Sequence, residues 1–103
     1  LIKMINKASL NQTLVISGDR HRGGIYKFKT ARGNVISEVT SSSLNTSFPN
    51  EEEYGPLRIG NTFVEENYGI ILLDSEKNNI FVGLKNVNGK IVRKTTISNY
   101  KII

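Results

Sequence analysis

Residues 13–24 read Thr-Leu-Val-Ile-Ser-Gly-Asp-Arg-His-Arg-Gly-Gly, an apolar run that stops abruptly in a glycine and a cluster of ionisable side chains. Leu14, Val15 and Ile16 form a run too short for a helix and continuous rather than alternating. That pattern predicts a central strand buried on both faces. In layered α/β architectures, ligands bind in crevices beyond the carboxyl ends of such strands. Here that place is held by Gly18, Asp19, Arg20, His21 and Arg22. The rest of the chain is the frame around this turn.

Ahead of the run, Leu1, Ile2, Met4, Ile5, Ala8 and Leu10 recur at close to about 3.6 residues, which predicts a helix over 1–10 packed on a sheet. Behind it, Tyr26 and Phe28 alternate with Lys27 and Lys29 as in a half-buried strand over 25–30. Arg32, Gly33 and Asn34 make a turn, and 35–40 returns as the antiparallel partner, with Val35 and Val39 on one face. Residues 41–62 shift to Ser, Asn, Thr, Glu, Pro and Gly, with Pro49 and Pro56 breaking regular structure. They read as a long loop, either a functional lid or a disordered surface excursion, which Leu44, Phe48, Leu57, Ile59 and Phe63 could tack down. A second apolar run over 70–74 predicts another well-buried strand, followed by strands over 80–85 and 91–97 joined by Asn88-Gly89, the strongest hairpin signal in the chain. The expected class is α/β but β-rich, with one N-terminal helix and then about six mainly antiparallel strands.

The 103 residues bound the chain to one small domain, read as a single partial one over 1–103. It opens on Leu1 rather than Met, directly in the expected helix, so it is expected to be a piece of a longer product. No apolar run approaches a membrane span or a signal peptide, the longest being 70–73. Cysteine is absent, which excludes disulfides, thiolate metal ligands and a thiol nucleophile from these residues. A net charge of +5 invites a polyanion partner, but Glu51, Glu52, Glu53, Glu65 and Glu66 answer the basic residues Arg20, Arg22, Lys27, Lys29 and Arg32. No dedicated nucleic-acid surface is expected.

The chain has a single histidine, His21. Asp19 and His21 stand two apart in an extended turn, so both side chains can project to one side. A carboxylate oxygen and an imidazole nitrogen suit zinc, iron or manganese. Catalytic metals need at least three protein ligands, however, so most ligands of any metal bound by His21 lie outside these residues. Ser17 lacks the elbow of a serine nucleophile, and Gly23-Gly24 precedes a strand rather than the helix of a phosphate-binding loop. Glu51 to Glu53 form an ordinary solvated charge run rather than a glycosidase pair.

Three segments in order, Leu-Val-Ile-Ser-Gly-Asp-Arg-His at 14–21, Glu-Val-Thr-Ser-Ser-Ser-Leu at 38–44 and Asn-Tyr-Gly-Ile-Ile-Leu-Leu-Asp at 67–74, resemble the C-terminal part of PhoD-like alkaline phosphatases. That group is a branch of the calcineurin-like metallophosphoesterases. The resemblance implies the C-terminal half of a four-layer αββα sandwich and hydrolysis of a phosphoester at a binuclear metal site. It implies that Gly18 to His21 is the last metal-binding motif, with His21 a ligand and Asp19 either a ligand or an orienting partner of His21. The earlier motifs of the family, Asp-x-His, Gly-Asp-x-x-Asp and Gly-Asn-His, do not occur among these residues. The remaining ligands would come from the N-terminal remainder of the catalytic domain, and residues 1–103 alone would be inactive. Arg20 and Arg22 would contact phosphoryl oxygens, and the metals would be drawn from iron, calcium, zinc or manganese. A periplasmic, secreted or cell-surface location also follows from the resemblance. The alternative is a non-enzymatic β-rich accessory or interaction module in which Asp19 and His21 only hydrogen-bond within the turn.

Overall fold

A computed structural model describes residues 1–7, 12–44 and 55–98. One short helix, α1 (Ile2–Lys7), precedes six strands: β1 (Gln12–Ser17), β2 (Gly23–Lys29), β3 (Val35–Ser41), β4 (Asn67–Asp74), β5 (Asn79–Asn86) and β6 (Ile91–Ser98). They form two three-stranded sheets, ordered β1-β3-β2 and β4-β5-β6. All pairings are antiparallel except β1 with β3, which run parallel from Gln12 opposite Val35 to Ser17 opposite Thr40. The β-rich class with one short N-terminal helix is therefore the fold, and no described helix is long and apolar enough to cross a membrane.

The sheets meet face to face through Ile25 and Val39 of the first and Val82, Leu84 and Ile97 of the second. Leu14, Ile59, Ile80 and Val92 pack around this cluster. Burial of five aliphatic side chains from four strands is what ties one sheet to the other, since each sheet alone would leave an apolar face in water. Turn chemistry fixes the hairpins: Gly89 takes φ 79° beside Asn88, and Gly33 takes φ 84° between β2 and β3. Glycine occupies that left-handed region without a side-chain penalty.

Several expectations are corrected. β1 is an edge strand of the described sheet rather than a central one, and Ile16 is 69% exposed. β4 is also an edge, and its Leu72 and Leu73 are exposed. In both cases an apolar run was expected to be covered on both faces, yet among the described residues the strand is paired on one side only and these side chains are exposed. Along β2 the deeply buried residue is Ile25, while Phe28 is partly exposed, so the inward phase is opposite to that expected from the aromatics. In α1 only Ile5 is buried, whereas Leu1, Ile2 and Met4 are exposed. The expected continuation through Ala8 and Leu10 lies outside the described residues, as do Phe48 and the rest of 45–54 in the expected loop. In the described part of that loop Ile59 packs on the core and bridges join Arg58 to Tyr26 and Phe63 to Gly23, whereas Leu44 and Leu57, also expected to tack it down, are exposed.

Candidate functional site

Strand order determines what surrounds residues 18–22. β1 and β2 are consecutive in sequence but not neighbours, because β3 inserts between them. The turn must therefore cross two strand spacings, roughly 10 Å, over the carboxyl end of β3. Since β1 and β3 are parallel, their carboxyl ends lie together, and Ser42, just past β3, bonds the turn. Residues 18–22 thus lie beyond the carboxyl ends of β1 and β3, at an edge of the described sheet.

Asp19 and His21 both adopt left-handed backbone conformations, with φ 66° and 52°. Asp and His are among the non-glycine residues that tolerate this region best, at a cost of about 1–2 kcal/mol each. Gly18, expected to let the chain turn sharply, is not in that region, and a Cβ there would come only to 3.7 Å from the Ser42 Cβ. The unusual backbone geometry belongs to the two residues singled out as ligands.

Ser42 holds the turn. Its Oγ accepts from the Arg20 amide at 2.9 Å, and both its Oγ–H and its own amide donate to the Arg22 carbonyl at 3.3 Å. Arg22 in addition folds back, its Nε donating to the Arg20 carbonyl at 3.1 Å. His21 is half-buried; its Nδ1 is enclosed and takes no hydrogen bond, although the residue is engaged through other interactions. Asp19 and Arg20 are exposed.

The neighbouring serine reaches the second sheet. Ser41 Oγ donates to Asn67 Oδ1 at 3.0 Å, Asn67 Nδ2 donates to the Glu65 carbonyl at 2.7 Å, and the Asn67 amide donates to the Ser43 carbonyl at 2.9 Å. On the other face, Ser17 Oγ lies 2.6 Å from Glu38 Oε1 and 2.7 Å from Thr40 Oγ1, and Thr40 Oγ1 donates to the same carboxylate oxygen at 3.2 Å. These groups, with Gly18, Arg20 and Tyr26, line a polar cleft of about 340 Å³. A second, more apolar groove of about 540 Å³ runs between β1 and β4, past Ile16, Leu44, Ile70 and Ile71, with Ser41 and Asn67 at its polar end.

The donor set fits a metal in kind and falls short in number. A carboxylate and an imidazole are suitable ligands, but no group of three or more His, Cys, Asp or Glu side chains converges among the described residues. Asp19 and His21 could hold one side of a metal site whose other ligands come from elsewhere. Arg20 and Arg22, the expected phosphate contacts, flank His21 on the same turn. Sequence reasoning missed Ser42, Glu38 and Asn67 as parts of this site. The signal available was the run of hydroxyl residues Thr40 to Ser43 at a strand end, which reads as an ordinary loop entry until β3 is placed between β1 and β2. No protein-family model, curated protein or solved structure matches the chain.

Proposed function

We propose that the chain forms one corner of a metal-dependent phosphoesterase site of the PhoD-like type, as the C-terminal half of a four-layer αββα sandwich. The observation that carries this reading is the convergence of the three resembling segments. The turn from 14–21 rests on Ser42 from 38–44, and Ser41 from that same segment bonds Asn67, which opens 67–74. Segments far apart in sequence are thus linked in one chain of contacts that begins at the 18–22 turn.

In this reading His21 ligates the metal pair and Asp19 either ligates it or orients His21. Metal in such a site supplies charge stabilisation and an activated water for in-line hydrolysis of a phosphoester. Arg20 and Arg22 steady phosphoryl oxygens, which a guanidinium fork pairs bidentately. The remaining ligands come from a polypeptide outside residues 1–103, the N-terminal remainder of the catalytic domain. The apolar side chains Ile16, Leu72 and Leu73, exposed on two edge strands of the described sheets, support a covering partner.

The test is His21→Ala in the full natural gene product, with metal content and phosphatase turnover measured together. Both fall if the reading is right. Wild-type values for both overturn it and leave the turn as a structural element of a non-enzymatic module.

A further inference from the structure

We infer that Ser42 is the positioning residue of this site: its hydroxyl sets the backbone pose of Asp19 and His21 and through it the placement of their ligating atoms. The inference rests on the metal-site reading above but stands on separate geometry.

The turn has two left-handed residues that are not glycine, Asp19 and His21, with Arg20 between them. Such a backbone persists only where the surroundings over-determine it. The hydroxyl of Ser42 bonds on both sides of His21. It accepts from the Arg20 amide at 2.9 Å and donates to the Arg22 carbonyl at 3.3 Å. The first bond fixes the peptide plane between Asp19 and Arg20. The second fixes the plane that leaves Arg22. Together they leave His21 little freedom to rotate out of its conformation. A hydroxyl is suited to this because one atom both accepts and donates.

Ser42 can act as a reference point because it is itself anchored. It follows Ser41, which pairs with Gly23 in the β2–β3 ladder and bonds Asn67 of the second sheet at 3.0 Å. The pose of the turn is therefore tied to the junction of the two sheets rather than to the turn's own residues. Ser42→Ala would remove the hydroxyl that accepts from the Arg20 amide and donates to the Arg22 carbonyl. Ser42→Thr keeps the hydroxyl, and the nearby Gly18 has no side chain to crowd it.

The experiment compares wild type, Ser42→Ala and Ser42→Thr in the full natural protein. Three quantities are read: hydrogen exchange at the Arg20 amide, zinc and manganese affinity by titration calorimetry, and the urea midpoint as a control for global stability. Ser42→Ala is expected to speed Arg20 exchange at least about tenfold and to weaken metal affinity about 10–100-fold, the usual effect of losing a group that orients a ligand. Ser42→Thr is expected to restore both. If Ser42→Ala does not fold, Ser42→Cys carries the same expectation, because a thiol is a much weaker bonding group of similar size. Unchanged exchange in Ser42→Ala, or failure of a folded Ser42→Thr to restore it, overturns the inference. A folded Ser42→Ala that exchanges faster yet binds metal as tightly as wild type also overturns it. Absence of binding of zinc, manganese, calcium and iron alike by the wild-type protein overturns the metal-site reading, and the exchange measurements then decide alone whether Ser42 sets the turn.

Discussion

Ser41, near the end of the first sheet, donates a 3.0 Å hydrogen bond to Oδ1 of Asn67, the first residue of β4 and only 2% exposed. This is a side-chain link between the two sheets at the same end as the candidate site. A buried amide must find partners for its oxygen and its nitrogen, and Asn67 does so with Ser41 and with the Glu65 carbonyl. Asn67→Ala removes both bonds and is expected to lower unfolding free energy by about 1–3 kcal/mol. Urea denaturation followed by circular dichroism measures it. A midpoint equal to wild type would show that the link contributes nothing.

Gly23 depends on the same asparagine. A Cβ at Gly23 would stand 2.7 Å from Asn67 Oδ1 and 2.9 Å from Leu84 Cδ1, so the sheets would have to part slightly to admit it. Gly23→Ala is expected to cost about 1–3 kcal/mol as an overpacking change. In an Asn67→Ala background the first of these contacts is gone, so the cost shrinks and the two substitutions are less than additive. A double-mutant cycle reads that coupling directly. Strict additivity would mean that the two positions do not meet.

The turn reverses the usual expectation about which residue tolerates change. Gly18 lies outside the left-handed region and a methyl there meets Ser42 Cβ only at an ordinary contact distance of 3.7 Å, so Gly18→Ala is expected to shift stability by no more than about 0.5 kcal/mol. His21 sits at φ 52°, where a β-branched side chain is strongly disfavoured. His21→Val is therefore expected to cost about 1–3 kcal/mol. If Gly18→Ala proves the more damaging of the two in denaturation experiments, the left-handed assignment at His21 is wrong.

What the sequence revealed followed the range of the interactions involved. The hairpins at Gly33 and at Asn88-Gly89 were legible because a left-handed turn is a local requirement met by a local residue. The burial of β1 and β4 was misread for the opposite reason. A continuous apolar run records that a strand has something to bury, but Leu14 to Ile16 and Ile70 to Leu73 do not say where the covering elements are. The insertion of β3 between β1 and β2 is likewise invisible from spacing, and with it the role of Ser42, which lies 22 residues beyond Arg20 in sequence. Asp19 and His21 stand out as candidates by chemistry alone, as the carboxylate and the one imidazole after a strand. Their left-handed backbone is not legible, because Gly18 is the residue of the turn for which that region carries no side-chain penalty.

Asp19 allows the backbone and metal roles of the turn to be separated. Asparagine tolerates the left-handed region about as well as aspartate, so Asp19→Asn keeps φ 66° accessible while removing the negative charge. Asp19 is exposed, which leaves little packing to disturb. Stability is therefore expected to stay within about 0.5 kcal/mol of wild type. Metal affinity of the full natural protein is expected to fall by about tenfold or more, whether the carboxylate ligates directly or orients His21. Calorimetric titration with zinc or manganese beside a urea midpoint gives both quantities on one sample. Loss of stability in parallel with affinity would assign Asp19 to the fold, and unchanged affinity would remove it from the site.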